Sequence, residues 1–156
     1  MSISQSLSRC GISWTPTSNF ESSVVEEESD NAGWTPVHYA ADSGHVEVVK
    51  LLVEKGADIT LANNAGWTPV NSAANKGHVE VVKLLVEKGA DITLADNAGW
   101  TPVNCAADSG HVEVVKLLVE KRADITLADN DGWTPVHYAA DSGHVEVVRV
   151  IMQECG

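Results

Sequence analysis

A 33-residue unit recurs four times in this 156-residue chain, and this period constrains the fold more strongly than any other feature. The copies begin at Asp30, Asn63, Asp96 and Asp129. Each contains Gly-Trp-Thr-Pro-Val, then an Ala-Ala pair and then Gly-His-Val-Glu-Val-Val. Self-similarity at one fixed period is typical of stacked supersecondary units, each of which buries its apolar face against the next. We therefore expect a stack of units rather than a globule around one centre.

The first copy predicts two helices. Thr35 suits the N-cap of a first helix, Pro36 its first position and Gly44 its end. At about 100° per residue, the second helix has a broad apolar arc with charged residues opposite. The arc consists of Val46, Val48, Val49, Leu52 and Val53. Because the arc is wider than a two-helix hairpin needs, we expect it to pack against the neighbouring copy as well.

The residue after the second helix differs in the third copy. Gly56 and Gly89 stand where a left-handed backbone commonly ends a helix, and Arg122 replaces them. A non-glycine residue held at positive φ costs on the order of 1 kcal/mol. The sequence therefore predicts a strained backbone at Arg122, which we interpret as tolerated drift rather than as part of a binding site.

The segments Thr35-Pro36-Val37-His38 and Thr134-Pro135-Val136-His137 match a known motif, Thr-Pro-Leu-His, with Val in place of Leu. Over residues 30–156 the chain thus resembles the ankyrin-repeat family. The resemblance implies an all-α solenoid of stacked helix-turn-helix units with β-hairpin fingers. It also implies that His38 and His137 hold a repeat and its neighbour by hydrogen bonds, which Asn71 and Asn104 can make only in part. The implied repeats are 30–62, 63–95, 96–128 and a truncated 129–156.

The two ends of the array depart from the pattern. Residues 1–29 form an acidic, Ser-rich leader, for which two interpretations stay open. It is either a degenerate capping repeat that uses Trp14, Phe20, Val24 and Val25, or a leader without a fixed fold. The last copy stops at Gly156 without the connector of the others. We expect either a fragment of a longer array or an end face that is sealed by self-association.

The net charge narrows the class of partner. With 10 basic and 22 acidic residues, the chain carries −12 at pH 7 and repels nucleic acid and anionic membrane lipid. A protein with a basic or neutral surface is the expected partner.

Cys10, Cys105 and Cys155 have neither the spacing of a disulfide framework nor that of metal ligands, which favours a reducing compartment. The sequence contains neither a signal-peptide core nor an apolar run long enough to span a membrane, and we expect an intracellular, cytoplasmic protein.

Comparison of the copies indicates where binding could be specified. The second helices of the first three copies are identical, whereas the first helices differ. In ankyrin-repeat proteins the fingers and the exposed side of the first helix line the concave surface that binds partners. The tryptophan that precedes each first helix is a second candidate, although it could equally pack the finger. The expected partner-binding residues are Trp34, Tyr39, Asp42, Ser43, Trp67, Ser72, Asn75, Lys76, Trp100, Cys105, Asp108, Trp133, Tyr138 and Asp141.

The sequence gives no support for catalysis, a cofactor or a metal site. Zinc ligands lie about 2 Å from one centre, whereas histidines that recur once per copy should stand about 10 Å apart. These are His45, His78, His111 and His144. We expect them to cap the second helix or to bridge loops. Cys105 is interpreted as a packed or half-exposed thiol rather than a nucleophile.

The sequence therefore favours a non-enzymatic module for binding a protein through the fingers and the first-helix face. Two alternatives stay open. One is an ankyrin-type inhibitor or adaptor that masks an enzyme. The other is a spacer or sensor arm that is part of a larger multi-repeat receptor.

Overall fold

The computed structural model describes residues 29–155, which contain eight helices and no β-strand. Each copy contributes a short first helix and a longer second helix. In chain order they are α1 (Pro36–Ser43), α2 (Val46–Glu54), α3 (Pro69–Lys76), α4 (Val79–Glu87), α5 (Pro102–Ser109), α6 (Val112–Glu120), α7 (Pro135–Asp141) and α8 (Val145–Cys155). The all-α class is confirmed. The interpretations of the leader concern residues that lie almost entirely outside the described range.

Local sequence fixes the ends of the first helix. Thr35 has an extended backbone, and its hydroxyl accepts a hydrogen bond from the His38 N–H, as an N-cap does. Pro36 follows at the first helical position, where its missing N–H leaves no hydrogen bond unmade. Gly44 has φ of 76° and ends the helix in the left-handed conformation. The same order of residues starts and ends α3 and α5.

Successive copies pack helix on helix. The first helices α1, α3, α5 and α7 form one continuous row, and the second helices form an outer row. Identical second helices are buried to different extents because their neighbours differ. Val81 and Leu84 of α4 are 0 % and 8 % exposed, whereas the equivalent Val48 and Leu51 of α2, in the first copy, are 45 % and 53 % exposed. The wide apolar arc is therefore used fully only where a copy has neighbours on both sides.

The segment before each first helix, which we call the finger, is a tight turn. In the second copy the Asn63 N–H donates to the Trp67 carbonyl at 2.8 Å, and the Gly66 N–H donates to the Asn63 carbonyl at 2.9 Å. The Asn63 side chain accepts from the N–H groups of Ala65 and Trp67. The Asn63 side chain thus accepts hydrogen bonds that, in a β-ladder, a backbone carbonyl would accept. Within residues 29–155 the fingers are such turns and contain no two-stranded hairpin.

Two contacts repeat at every junction between copies. In the finger lock, Asn64 donates from its N–H to the Ala32 carbonyl and from its Nδ2 to the Asn31 carbonyl, at 2.9 and 3.0 Å. Asn97 and Asn130 repeat both bonds one copy later each time. These hydrogen bonds link each copy to the next copy, 33 residues along the chain, and so hold the fingers in a row.

In the histidine lock, Nε2 of His78 donates to the Asp42 carbonyl at 2.9 Å, at the end of the preceding first helix. His111 and His144 make the same bond to Asn75 and Asp108. No side-chain cap forms at the start of α4, α6 or α2. Of the two expected roles for these histidines, bridging is therefore confirmed and capping is wrong, because the ring points to the neighbouring copy.

The backbone of Arg122 has φ of 68°, the one positive value at a non-glycine residue between 29 and 155. The predicted left-handed conformation is confirmed. We expect Arg122→Gly to raise the free energy of unfolding by about 1 kcal/mol, because the strain disappears while the exposed side chain leaves no cavity. Equilibrium denaturation in urea measures this change. The reverse substitution Gly89→Arg, at the same position of the second copy, should lower stability by a similar amount; an unchanged midpoint in both variants would contradict the assignment.

Candidate functional site

Four tryptophans form a strip between the fingers and the first helices. Trp34, Trp67, Trp100 and Trp133 are all partly buried, so part of each residue stays accessible to solvent. The backbone of each is held by the first residue of its copy; Trp67 N–H, for example, donates to Asn63 Oδ1 at 3.0 Å. The Trp67 indole N–H donates to Asp96 Oδ2 of the next copy at 2.7 Å. Trp67 is therefore held both by its own copy and by the next one, which preorganises it for contact with another molecule.

Tyrosines extend the strip in the first and last copies. Tyr39 packs on Trp34 with ring centroids 5.1 Å apart, and its hydroxyl donates to Asp30. Tyr138 lies near Trp100 and Trp133, with centroids 4.4 and 4.9 Å away. Burial, reinforced by the bond to the Asp129 carboxylate, raises the pKa of Tyr138 to about 12. Both phenols therefore stay protonated near neutral pH and offer an apolar body with one polar end.

The two aspartates that accept hydrogen bonds from these tyrosines are held in the charged form. Asp30 has its pKa lowered mainly by the hydrogen bond from the Tyr39 hydroxyl, followed by the bond from the Trp34 N–H. For Asp129, burial raises the pKa, but the bonds donated by Tyr138 and by the Trp133 N–H together lower it below its ordinary value. The aromatic strip is thus bordered by ionised aspartates.

Two expected binding residues do not reach the surface. Ser72 and Cys105 occupy the Tyr39 position in the middle copies and are both fully buried. Small side chains at this position lie under the neighbouring copies, so neither can contact a partner and both leave the candidate surface. Burial raises the pKa of the Cys105 thiol to about 12, which makes it unreactive. The interpretation of Cys105 as a packed thiol is the correct one.

The remaining expected residues lie at the carboxyl ends of the first helices. Ser43, Lys76 and Asp141 are exposed, whereas Asp42, Asn75 and Asp108 are partly buried. Two serines that the sequence comparison missed join this row. Ser109 donates to Asn75 Oδ1 at 3.1 Å, and Ser142 donates to Asp108 Oδ1 at 3.3 Å. Ser109 and Ser142 occupy the same position as Ser43 and Lys76, so the variation between those two residues was the sequence signal that could have found them.

The charges are unequally distributed over the repeats. The finger and first-helix segments of the four copies carry seven aspartates and a single cation, Lys76. The aspartates are Asp30, Asp42, Asp96, Asp108, Asp129, Asp131 and Asp141. Each second helix, by contrast, carries an ion pair in which one positive and one negative side chain cancel in charge. The pairs are Lys50–Glu47, Lys83–Glu80, Lys116–Glu113 and Arg149–Glu146. The negative field of the repeats is therefore concentrated beside the tryptophan strip.

Two further properties of residues 29–155 bear on function. They contain no group of three or more His, Cys, Asp or Glu side chains arranged to hold a metal ion. None of their helices has the length and apolar character required to span a membrane.

A family model that describes ankyrin repeats in three copies matches residues 20–96 and 94–156. The chain belongs to the ankyrin-repeat family. Ankyrin repeats are generally protein-interaction modules and generally non-catalytic. The stacked helix pairs described above are the structural form of this family in the present chain.

Curated relatives share short stretches of ankyrin repeat with this chain. Human NAD-capped RNA hydrolase NUDT12 is 49 % identical over 41 residues, which are 26 % of this chain and 9 % of that protein. The E3 ubiquitin-protein ligase XBAT32 of Arabidopsis thaliana is 45 % identical over 49 residues, 30 % and 10 % of the two chains. An ankyrin repeat-containing protein of Schizosaccharomyces pombe is 37 % identical over 43 residues, 28 % and 21 %. The matches thus span a small part of each relative, and the activities in their names belong to those proteins.

Proposed function

We propose that this ankyrin-repeat array binds a protein with a basic surface segment along the tryptophan strip and the row of first-helix ends. The observation that carries the proposal is the strip itself, in which each of the four stacked copies presents one tryptophan that is partly open to solvent and aspartates border these side chains. Tryptophan is enriched among residues that dominate binding energy, because a large rigid ring loses little entropy on contact. The surrounding carboxylates would attract lysine and arginine and repel acidic surfaces.

The strip can be tested by removing two central indoles. We expect Trp67→Ala/Trp100→Ala to weaken capture of a partner from native lysate by at least about tenfold, since two anchoring side chains are lost. The matched control is Glu80→Ala/Lys83→Ala, which deletes an exposed ion pair on α4 without changing the net charge. Quantitative mass spectrometry of the captured proteins measures the difference, and circular dichroism verifies that both variants are folded. Equal capture by both variants would exclude the strip as the interface.

The charge can be tested separately with a substitution that the array already contains. Asp42→Asn and Asp108→Asn each copy Asn75 of the second copy, so the fold tolerates them. If the partner is basic, the double variant should associate more slowly and with weaker dependence on salt. An inhibitor or adaptor that masks an enzyme would give the same outcome, with the enzyme as the captured protein. Absence of any partner whose capture depends on these residues would favour the spacer or sensor arm.

A further inference from the structure

Each end of the described array carries one of the two complementary surfaces that meet wherever two copies pack inside the array. Each internal junction places an asparagine and a histidine of one copy against two glycines of the copy before it. A Cβ atom on Gly44 would lie 2.6 Å from Nδ1 of His78, and one on Gly33 would lie 2.8 Å from Oδ1 of Asn64. The glycines are therefore recesses that the next copy fills.

The last copy has the same recesses unfilled. Gly132 and Gly143 correspond to Gly33 and Gly44, and within the described part of the chain nothing lies within 4 Å of a Cβ built on either. Beside them, Val145 and Met152 of α8 are 64 % and 59 % exposed. Their counterparts in α4 and α6 pack against the core. We call this surface, formed by Gly132, Gly143, Val145 and Met152, the C-face.

The first copy presents the complementary groups. Asn31 and His45 are exposed and correspond to Asn64 and His78, the residues that fill the recesses of the preceding copy. Val48 and Leu51, also exposed, correspond to Val81 and Leu84, which the internal junction buries. We call the surface formed by Asn31, His45, Val48 and Leu51 the N-face. Its residues match in type and position those that meet the preceding copy within the chain.

We propose that the C-face of one molecule binds the N-face of a second copy of this chain, head to tail, and continues the internal junction between molecules. Because the two faces differ, the contact is head-to-tail, and because it repeats the internal junction, which stacks successive copies in one direction, the products are linear chains of molecules. Both partners carry −12, so repulsion opposes the contact. Salt screens that repulsion while leaving apolar burial and amide hydrogen bonds in place, so association should strengthen as ionic strength rises.

Complementary blocked variants test the direction of the contact. Val145→Lys/Met152→Lys blocks the C-face and Val48→Lys/Leu51→Lys blocks the N-face, in each case at side chains that are at least 45 % exposed. Each variant alone should be a monomer in sedimentation velocity, with association weakened by at least about tenfold. An equimolar mixture should give a 1:1 dimer and nothing larger, because one open C-face and one open N-face remain. The control Leu94→Lys/Leu127→Lys, equal in charge and also at exposed leucines, should form chains as wild type does.

Three outcomes would overturn the proposal. A wild-type chain that stays monomeric at high concentration and high salt has no head-to-tail contact. Association that survives in either blocked variant uses another surface. A mixture of the two blocked variants that stays monomeric, although both are folded by circular dichroism, shows that the two faces do not bind each other. None of these outcomes affects the proposed binding along the tryptophan strip, which uses different residues.

Discussion

Gly77→Ala should lower the free energy of unfolding by about 3 kcal/mol, whereas Gly143→Ala should lower it by about 1 kcal/mol. The two glycines have nearly the same φ, 79° and 76°, so a Cβ strains both backbones equally. They differ in their neighbours. A Cβ on Gly77 would lie 2.5 Å from Nδ1 of His111, whereas none of the described residues lies within 4 Å of one on Gly143. The excess loss at Gly77 therefore measures the histidine lock.

The origin of this excess can be checked with a second variant. Displacing the His111 ring breaks its 2.9 Å bond to the Asn75 carbonyl and the packing of the ring. The double variant Gly77→Ala/His111→Ala should consequently cost less than the sum of the two single variants, since the ring that clashes is gone. Urea denaturation followed by tryptophan fluorescence gives all three values. Strict additivity, or equal losses at Gly77 and Gly143, would show that the ring adapts without breaking its bond.

Asn71→His is expected to raise the free energy of unfolding by about 1–3 kcal/mol at pH 8. In the first copy, Nδ1 of His38 accepts from the Thr35 N–H and Nε2 donates to the Trp67 carbonyl at 2.9 Å. Asn71, the residue at this position in the second copy, keeps the bond to Thr68 but leaves its Nδ2 buried without a partner. A longer imidazole would reach the Trp100 carbonyl and remove that unsatisfied donor.

The stabilisation at Asn71→His should depend on pH in a defined direction. Burial lowers the pKa of His38 below its ordinary 6.5, because the charged imidazolium loses its solvation there, although the hydrogen bond to the Trp67 carbonyl acts in the opposite direction. The unfolded chain then binds the proton first, so the stability contributed by such a histidine is complete above pH 6.5. It is lost as the pH falls from 6.5 towards the lowered pKa of the folded state. The gain from Asn71→His should therefore shrink at pH 5.

Substitution in the opposite direction provides the control. His38→Asn should reduce stability and weaken the pH dependence, since it removes the bond to Trp67. His137→Asn should change little, because His137 is exposed and its only hydrogen bonds within the described range are to Thr134. Denaturation midpoints of the three variants at pH 8 and pH 5 test the whole series. A gain at Asn71 that is equal at both values of pH would mean that the new ring is solvated rather than buried.

Repetition made the fold predictable, because each local signal occurs several times. The order Thr-Pro at the start and Gly at the end of the first helix is realised at Thr35, Pro36 and Gly44. Comparison of Gly56 and Gly89 with Arg122 predicted a positive φ, and the structure has it. Both inferences depend only on backbone conformation within one copy, which neighbouring residues determine.

Burial was harder to predict, because it depends on the neighbours of a copy rather than on its sequence. Ser72 and Cys105 vary between copies and were therefore expected at a surface, yet both are interior. Variation marks positions that tolerate change, and a small side chain under an adjacent copy is also tolerated. Ser109 and Ser142 lie beside the candidate interface, and the variation between Ser43 and Lys76 at the same position was the signal that could have found them. The histidine locks were only partly predictable because the carbonyls that accept these bonds carry no sequence signal.

The histidine lock also constrains how such an array changes its length. Gly44 and the His78 that rests on it belong to different copies, and the same pairing recurs at Gly77 with His111 and at Gly110 with His144. Every copy therefore carries one member of the contact above it and one member of the contact below it. Loss or duplication of the gene segment for one or more whole 33-residue copies leaves matched pairs on both sides of the cut, whereas a deletion that is not a multiple of 33 residues shifts the pairs out of register. Recombination can thus lengthen or shorten this protein in unit steps without a round of compensating mutations.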